Sequence, residues 1–298
     1  MILNKLKFFP FLLSSVLLLT TSYGYEVRVA YSDLLPETFT EVLDEFSESS
    51  DLKIKSSKQG SLPMLEEFLC DSLDLCVIAM PEGIEMPVFD QSVFGKLPFG
   101  YKAVVLVVNV DNPVSELNLD QLSGIFSAQE GSNIKSWRDI GLFGYSVSSI
   151  KSFSLKEENG NTSDLFKHTA LQGEAFRASV KSLDRASTEA TVSNDVSAIG
   201  LLPKPSNDPY IKEISISKDE DSIAYGVSSD NIYYGDYPLI LPFFILYNET
   251  EFENLLPLIQ FLMDDQVAEL LDASDFYSVP QTVRKNLILD LQPLLKGE

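Results

Sequence analysis

Residues 154–171 contain side chains and backbone groups that could bind a small anion at the start of a helix. A polar turn over residues 157–161 follows a predicted strand, and a helix then begins, with Thr162 or Ser163 placed to cap it. The first turn of a helix leaves backbone N–H groups unpaired and carries the positive end of the helix dipole. Lys156 precedes the turn and could supply a counter-charge. The pattern fits a generic small-anion site, but taken alone it is more typical of an ordinary capped helix after a polar turn.

The chain has a single histidine, His168, on the same predicted helix. One histidine excludes a metal site built on a pair of histidines. A Ser-His-Asp triad would have to use His168, and no GxSxG motif accompanies it. We therefore interpret His168 as a surface helix residue, and we expect a binding protein without a metal or cofactor rather than an enzyme.

The first 24 residues have the features of a secretory signal peptide. Two lysines precede an apolar run over residues 8–20, and small residues follow at Ser22 and Gly24. We predict cleavage after Gly24, which leaves a mature chain from Tyr25 in the periplasm. No later apolar run approaches the length of a membrane span, so no membrane insertion is expected after cleavage.

The chain is strongly acidic, with 44 Asp and Glu against 22 Lys and Arg, a formal net charge of -22. Such a charge argues against nucleic acids and anionic membranes as partners. With 298 residues, 45% of them hydrophobic, the chain can bury a large core in one domain or two lobes. We expect a monomer.

The two cysteines, Cys70 and Cys76, leave two possibilities open. An oxidising compartment permits a disulfide between them. Two buried free thiols are the alternative, because Cys70 is predicted at a helix end and Cys76 in a buried strand, and the distance between their Cα atoms does not follow from sequence.

The first part of the mature chain alternates strands and helices, which indicates an α/β fold. Strands are predicted at residues 26–31 and around Ile54, and helices at 37–46 and 62–69. The nearly continuous apolar run over residues 73–79 predicts a strand buried on both faces.

Two long apolar strands, over residues 102–110 and 237–247, bracket the middle of the chain. This arrangement predicts an inserted second lobe, residues 104–242, within a first lobe of residues 25–103 and 243–298. Two such lobes close on a ligand by hinge motion. The other predictions are helices at 119–126, around 173–181, at 253–271 and at 283–295, a polar segment at 188–194 and a strand at 197–202.

The middle of the chain resembles the substrate-binding proteins of phosphate-type ABC transporters. The matching positions in residues 104–141 are Asn112, Pro113, Leu119, Gln121, Leu122, Ile125, Phe126, Trp137, Ile140 and Gly141. The segment SNDVSAIGLL, residues 193–202, is similar to the family's Ala-Ile-Gly strand. The resemblance implies a two-lobed periplasmic binding protein-like α/β fold, each lobe a mixed sheet covered by helices, joined by two crossing hinge strands.

In this family three turns hold the anion, and the resemblance implies the equivalent positions here. They are Ser32, Asp33 and Leu34 in the first turn, Gly60 and Ser61 in the second, and Lys156, Gly160, Asn161 and Thr162 in the third. The implied ligand is a small inorganic oxyanion, phosphate first, and the implied partner is the permease of an ABC importer.

Several positions depart from the family's pattern. Asp33 stands where a threonine is usual, Leu62 replaces a common glycine and Met80 replaces a polar residue. Lys156 occupies a position where the family has an arginine, so the bidentate hydrogen bonding of a planar guanidinium to an oxyanion is lost.

The departures leave the roles of individual residues open. Asp33 could accept a proton from a protonated oxyanion, repel an ionised one, or cap the helix near Pro36. Ser32 and Ser61 could be helix caps or ligand donors. Beside the phosphate-binding hypothesis stands a degenerate member of the fold, which acts in the cell envelope as an interaction or sensor protein.

Overall fold

In the computed structural model of the chain, the structure describes residues 25–81, 93–129, 131, 133–142, 149–156 and 161–291. The predicted signal peptide, Gly160 of the third turn and the end of the predicted C-terminal helix lie outside these residues.

The chain starts with three parallel strands that alternate with two helices, as the sequence predicts. The elements are β1 (Tyr25–Ser32), α1 (Thr38–Ser49), β2 (Leu52–Gln59), α2 (Ser61–Leu69) and β3 (Leu75–Ala79). Strand β1 lies between β2 and β3, so the carboxyl ends of all three strands meet at one edge. Every residue of β3 is buried, which agrees with its continuous apolar sequence.

The apolar run at residues 102–110 forms parts of two strands, so the prediction of one long strand is wrong. Strand β4 (Phe94–Ala103) belongs to a six-stranded sheet and β5 (Val105–Asn109) to a five-stranded one. Val104, between them, donates its N–H to the carbonyl of Leu239, 3.0 Å away. Both strands are largely buried, and an apolar pattern cannot reveal that the chain changes sheets.

The five-stranded sheet and its helices come from the middle of the chain. The elements that follow β5 in this part of the chain are β6 (Glu116–Asn118), α3 (Leu119–Phe126), β7 (Lys151–Leu155), α4 (Asn161–Ala170), β8 (Lys181–Leu183), α5 (Arg185–Asn194), β9 (Ala198–Leu202), β10 (Ile211–Glu213) and β11 (Ser215–Ser217). The strand order is β10-β5-β9-β7-β8, with parallel and antiparallel pairs, and β6 pairs with β11 in a separate ribbon.

Two predictions in this region are wrong. The helix expected around 173–181 is absent, because Gln172 and Gly173 adopt left-handed φ angles of 53° and 87° that end α4 and redirect the chain. The polar segment 188–194 instead belongs to helix α5, whose start is capped by Asp184 through a 2.8 Å bond from the N–H of Ser187.

The last part of the chain returns to the six-stranded sheet. Its elements are α6 (Ser229–Tyr233), β12 (Ile240–Asn248), α7 (Phe252–Leu262), α8 (Asp265–Ala273), β13 (Tyr277–Ser278) and α9 (Gln281–Leu291). Strand β12 lies between β3 and β4 and is antiparallel to both. The helical region predicted at 253–271 is two helices, because Asp264 caps the start of α8. The architecture is thus α/β, with two mixed sheets covered by helices.

The two cysteines do not form a disulfide. Cys70 is exposed at the end of α2 and Cys76 is buried in β3, and both are free. The disulfide alternative is therefore wrong. The alternative of two buried free thiols is confirmed for Cys76 and wrong for Cys70, which is free but exposed. Burial raises the pKa of the Cys76 thiol well above its ordinary value.

Among the described residues, no helix has both the length and the apolar character needed to cross a membrane.

Candidate functional site in the cleft between the sheets

The first two predicted turns lie side by side at the carboxyl edge of the parallel strands. Ser32 ends β1 directly opposite Gln59, which ends β2. The N–H of Asp33 donates to the carbonyl of Gln59 at 3.0 Å, and Gly60 follows at the start of α2. In α/β proteins, ligands bind outside the carboxyl ends of such strands.

The first turn is a tight backbone turn rather than a helix cap. The Ser32 side chain is completely buried, and its Oγ accepts a 3.3 Å hydrogen bond from the N–H of Leu34. Helix α1 starts only at Thr38, and the residue before it, Glu37, makes no capping bond. The capping alternatives for Ser32 and Asp33 are therefore wrong. Asp33 itself is exposed to solvent.

The second turn presents the open end of helix α2. Gly60 occupies the capping position, so Ser61 is the first helical residue and its capping alternative is wrong. The first N–H groups of a helix have no partner within it, which leaves those of Ser61 and Leu62 at this end. The Leu62 side chain is 64% exposed beside them.

The third turn lies at the start of α4. The helix begins at Asn161, so Thr162 and Ser163 lie within its first turn, and the prediction that one of them caps it is wrong. Thr162 is buried, and the Ser163 hydroxyl donates to the carbonyl of Leu155 at 2.7 Å. The Lys156 side chain is exposed, and its N–H donates to the carbonyl of Leu183 at 2.7 Å.

A cleft of about 250 Å³ joins the first and third turns across the two sheets. Of the predicted site residues, Leu34 and Asn161 line it. The other lining residues are Pro81, Lys102, Asp164, Leu165, His168 and Leu241. Ser32, Asp33, Gly60 and Ser61 share the same edge of the first sheet without lining the cleft. Lys156 and Thr162 do not line it either, although Thr162 directly follows Asn161, and Gly160 lies outside the described residues.

Lys102 lines the cleft, which the sequence motifs did not predict. Lys102 lies on β4, and its ammonium stands 4.7 Å from the centre of the Phe276 ring. The available signal was a single charged residue in the apolar run YKAVVLVVN, residues 101–109. A lysine in such a run is costly to bury and so points to a polar opening.

His168 is exposed on α4, which confirms its interpretation as a surface helix residue. It nevertheless lines the cleft, together with Asp164 one turn earlier on the same helix. The carboxylate of Asp164 forms an ion pair with Lys167 at 2.6 Å. The negative charge of Asp164 at this wall of the cleft is thus partly offset by the neighbouring Lys167.

Met80 departs from the family's pattern for a structural reason. Its side chain is buried in an apolar cluster that includes Met64 and Phe68 of α2. Its N–H donates to the carbonyl of Pro242 in β12 at 2.9 Å. Met80 thus anchors the end of β3 and is not a residue of the cleft.

A larger cavity of about 400 Å³ lies elsewhere, beside β6 and β11. It contains none of the predicted site residues, and three carboxylates, Glu116, Asp219 and Glu220, line it. This surface repels an anion, so the smaller cleft is the better candidate for an anion site. Within the described part of the chain, no cluster of three or more His, Cys, Asp or Glu side chains could hold a metal ion.

The chain belongs to the PBP superfamily: the family model described as a PBP superfamily domain matches residues 21–266. This match confirms the resemblance to binding proteins that the sequence motifs indicate. Two relatives are phosphate-binding proteins PstS of Pseudomonas aeruginosa, from strains PAO1 and UCBPP-PA14. Each is 29% identical over 184 residues, which cover 59% of this chain and 57% of the relative. The match thus spans a little over half the length of these relatives.

Solved structures confirm the two-lobed periplasmic binding protein-like fold. A possible phosphate binding protein from Planctomyces limnophilus has a TM-score of 0.69 at 16% identity, covering 91% of this chain and 99% of that one. PstS from Borrelia burgdorferi has a TM-score of 0.68 at 13% identity, covering 86% and 99%. An ABC-type phosphate transport receptor from Vibrio cholerae has a TM-score of 0.55 at 19% identity, covering 85% and 99%. At these identities the likeness extends to the fold alone.

Proposed function

We propose that this protein is a periplasmic solute-binding protein that captures a small oxyanion, phosphate first, in the cleft between its sheets. It then delivers the anion to the permease of an ABC importer. The observation that carries the proposal is the cleft itself, where Leu34 of the first turn and Asn161 of the third turn meet beside Lys102. The similarity to proteins described as phosphate-binding supports phosphate as the first candidate.

The proposed lobes are residues 25–103 with 243–298, and residues 104–242. The change of sheet at Val104 supports the first boundary. At the second boundary, β12 pairs with β4 from Ile240 onward, so the chain would return to the first lobe at Ile240, slightly before residue 243. On closure, the N–H groups at the start of α2, the Lys156 ammonium and the first turn of α4 would approach the anion from three sides. The proposed protein acts as a monomer, because described residues of a single chain line the cleft on the sides of both sheets.

A second candidate function is that of an envelope interaction or sensor protein that no longer binds phosphate. The apolar character of part of the cleft favours it, because Pro81, Leu165 and Leu241 offer no hydrogen bond from their side chains to an oxyanion.

Isothermal titration with phosphate, and separately with sulfate, tests the proposed function. We expect phosphate to bind, and Lys156→Ala to weaken binding because a counter-charge is lost. The matched control is Lys53→Ala, an exposed lysine near the opposite end of β2, which should bind like the unchanged protein. The absence of binding heat with both anions would remove the oxyanion role and favour the second candidate.

A further inference from the structure

Apolar side chains line the cleft both on the side of the six-stranded sheet and on the side of the five-stranded sheet. Leu34 follows β1, Pro81 follows β3, Leu241 lies on β12 and Leu165 lies on α4. Inorganic phosphate presents only oxygen atoms, which lose hydration without gaining a hydrogen bond when they face such side chains. A ligand that carries a hydrocarbon group gains free energy from the same contacts, in proportion to the apolar area buried.

The polar groups of the cleft are suited to one anionic head. Lys102 on β4 and His168 and Asn161 on α4 supply donors from opposite walls. The Phe276 ring lies 4.7 Å from the Lys102 ammonium, a cation–π contact that helps to orient the lysine side chain. Asp164 is the carboxylate that lines the cleft, and its ion pair with Lys167 offsets its repulsion of an anion.

The size of the cleft also accommodates more than a bare oxyanion. Its volume of about 250 Å³ lies just below the range of roughly 300–1,000 Å³ that is usual for pockets enclosing organic ligands. A tetrahedral anion with a short hydrocarbon substituent suits this space.

We propose that the cleft selects a phosphorus oxyanion bearing a small alkyl group, with Lys102 at the anionic head and Leu34, Leu165 and Leu241 around the alkyl group. The proposal rests on the proposed function, since it names the ligand class of the same site. It makes Lys102 a binding residue and Leu34 a residue that determines specificity.

Isothermal titration with phosphate, n-propylphosphonate and n-propyl phosphate tests this proposal. We expect at least one propyl compound to bind about tenfold or more tightly than phosphate, because the propyl group is buried against leucine side chains. The comparison of the two propyl compounds distinguishes a phosphonate from a phosphate ester.

Two variants assign the roles. Leu34→Ser should abolish the preference for the propyl compounds while changing phosphate affinity by less than about threefold, since the lost contact is apolar. Lys102→Met should weaken every anion by about tenfold or more, because it removes the charge and keeps the chain length. Leu289→Ser and Lys53→Met are the matched controls, because both residues are exposed and neither lines the cleft. Circular dichroism establishes that each variant is folded.

The outcomes separate this proposal from the proposed function. Phosphate binding that equals or exceeds that of both propyl compounds would overturn the alkyl selectivity and leave the proposed function standing. Binding of none of the three anions would overturn both. Undiminished affinity in Lys102→Met would overturn the assignment of Lys102 to the anionic head.

Discussion

Tyr237 fixes the point at which the chain passes between the two sheets. Its Oη donates a 2.7 Å hydrogen bond to the carbonyl of Val104, and its side chain is only 1% exposed. Burial raises the pKa of Tyr237, so the phenol remains a hydrogen-bond donor at neutral pH. The Tyr237 hydroxyl therefore satisfies the buried carbonyl of Val104, the residue at which the chain passes from one sheet to the other.

The expected effect of Tyr237→Phe is a loss of about 1–3 kcal/mol in the free energy of unfolding, because a buried carbonyl loses its donor. Urea unfolding followed by circular dichroism measures this loss. Tyr210→Phe is the matched control, since Tyr210 is 63% exposed, and it should change stability by less than about 0.5 kcal/mol. Equal stability of the two variants would contradict the role given to Tyr237.

At this scale the sequence predicted positions better than it predicted roles. Motif spacing placed Ser32 and Ser61 at one edge of the sheet, because strand ends can be recognised from apolar runs. It could not predict that Ser32 folds its hydroxyl onto the backbone of its own turn, or that Lys102 lines the cleft. The first is a side-chain choice within a local turn, for which the sequence allows more than one hydrogen bond. The second depends on where the chain runs after residue 103, because residues of α4 and Leu241 form much of the cleft.

Helix α5 packs unusually close to strand β9, and Gly200 makes this approach possible. A Cβ atom at Gly200 would lie 2.7 Å from Cγ2 of Thr188 and 3.3 Å from Cγ2 of Val192. Real carbon atoms do not approach to 2.7 Å, so any side chain would force the helix and strand apart. The glycine of the Ala-Ile-Gly segment is therefore a packing residue.

We expect Gly200→Ala to destabilise the protein by about 1–3 kcal/mol through overpacking between β9 and α5. Thermal and urea unfolding measure the change. The control is Gly226→Ala, because a Cβ there would meet its nearest neighbour, Oγ of Ser215, at 3.8 Å and so fits without strain. If Gly200→Ala were as stable as the control, α5 could move away from β9 without a loss of unfolding free energy, which would contradict the packing role of Gly200.

The elements that the sequence predicted well are those with one uninterrupted apolar or helical pattern, such as β3 and α3. The missed elements have patterns that tertiary structure overrides. Helix α5 has few apolar residues and was read as a polar segment, yet Val192 and Thr188 are completely buried against the sheet. Propensity and periodicity are weak where only a few side chains face the core.

Charged contacts link the sides of the molecule that carry the two sheets. Arg185 of α5 lies 3.0 Å from Asp275, and Lys204, which follows β9, lies 3.7 Å from Asp272 of α8. The Lys204 ammonium also stands 3.6 Å from the centre of the Tyr277 ring in β13. These contacts restrain rotation of one sheet and its helices against the other.

We expect the double variant Asp272→Asn, Asp275→Asn to have a larger radius of gyration in X-ray scattering without ligand, because the restraint between the two sides is weakened. Unfolding free energy should fall by only about 0–2 kcal/mol, since each pair is partly exposed. Glu37→Gln is the control, because the Glu37–Lys58 pair at 2.5 Å lies beside one sheet alone. An unchanged radius in the double variant would mean that the hinge itself sets the separation.

The position of β12 between β3 and β4 also dictates an order of folding. The strands of the five-stranded sheet all lie between Val105 and Glu213, a continuous stretch of chain. In the six-stranded sheet, β4 instead pairs with β12, and that whole stretch of chain separates the two strands in the sequence. Closing so long a loop loses conformational entropy before the contacts between β4 and β12 can compensate for that loss. The sheet that begins the sequence is therefore expected to be completed last. Until then the buried edges of β3 and β4 lack their shared neighbour, and the half-built sheet is the species most exposed to aggregation or to capture by a chaperone.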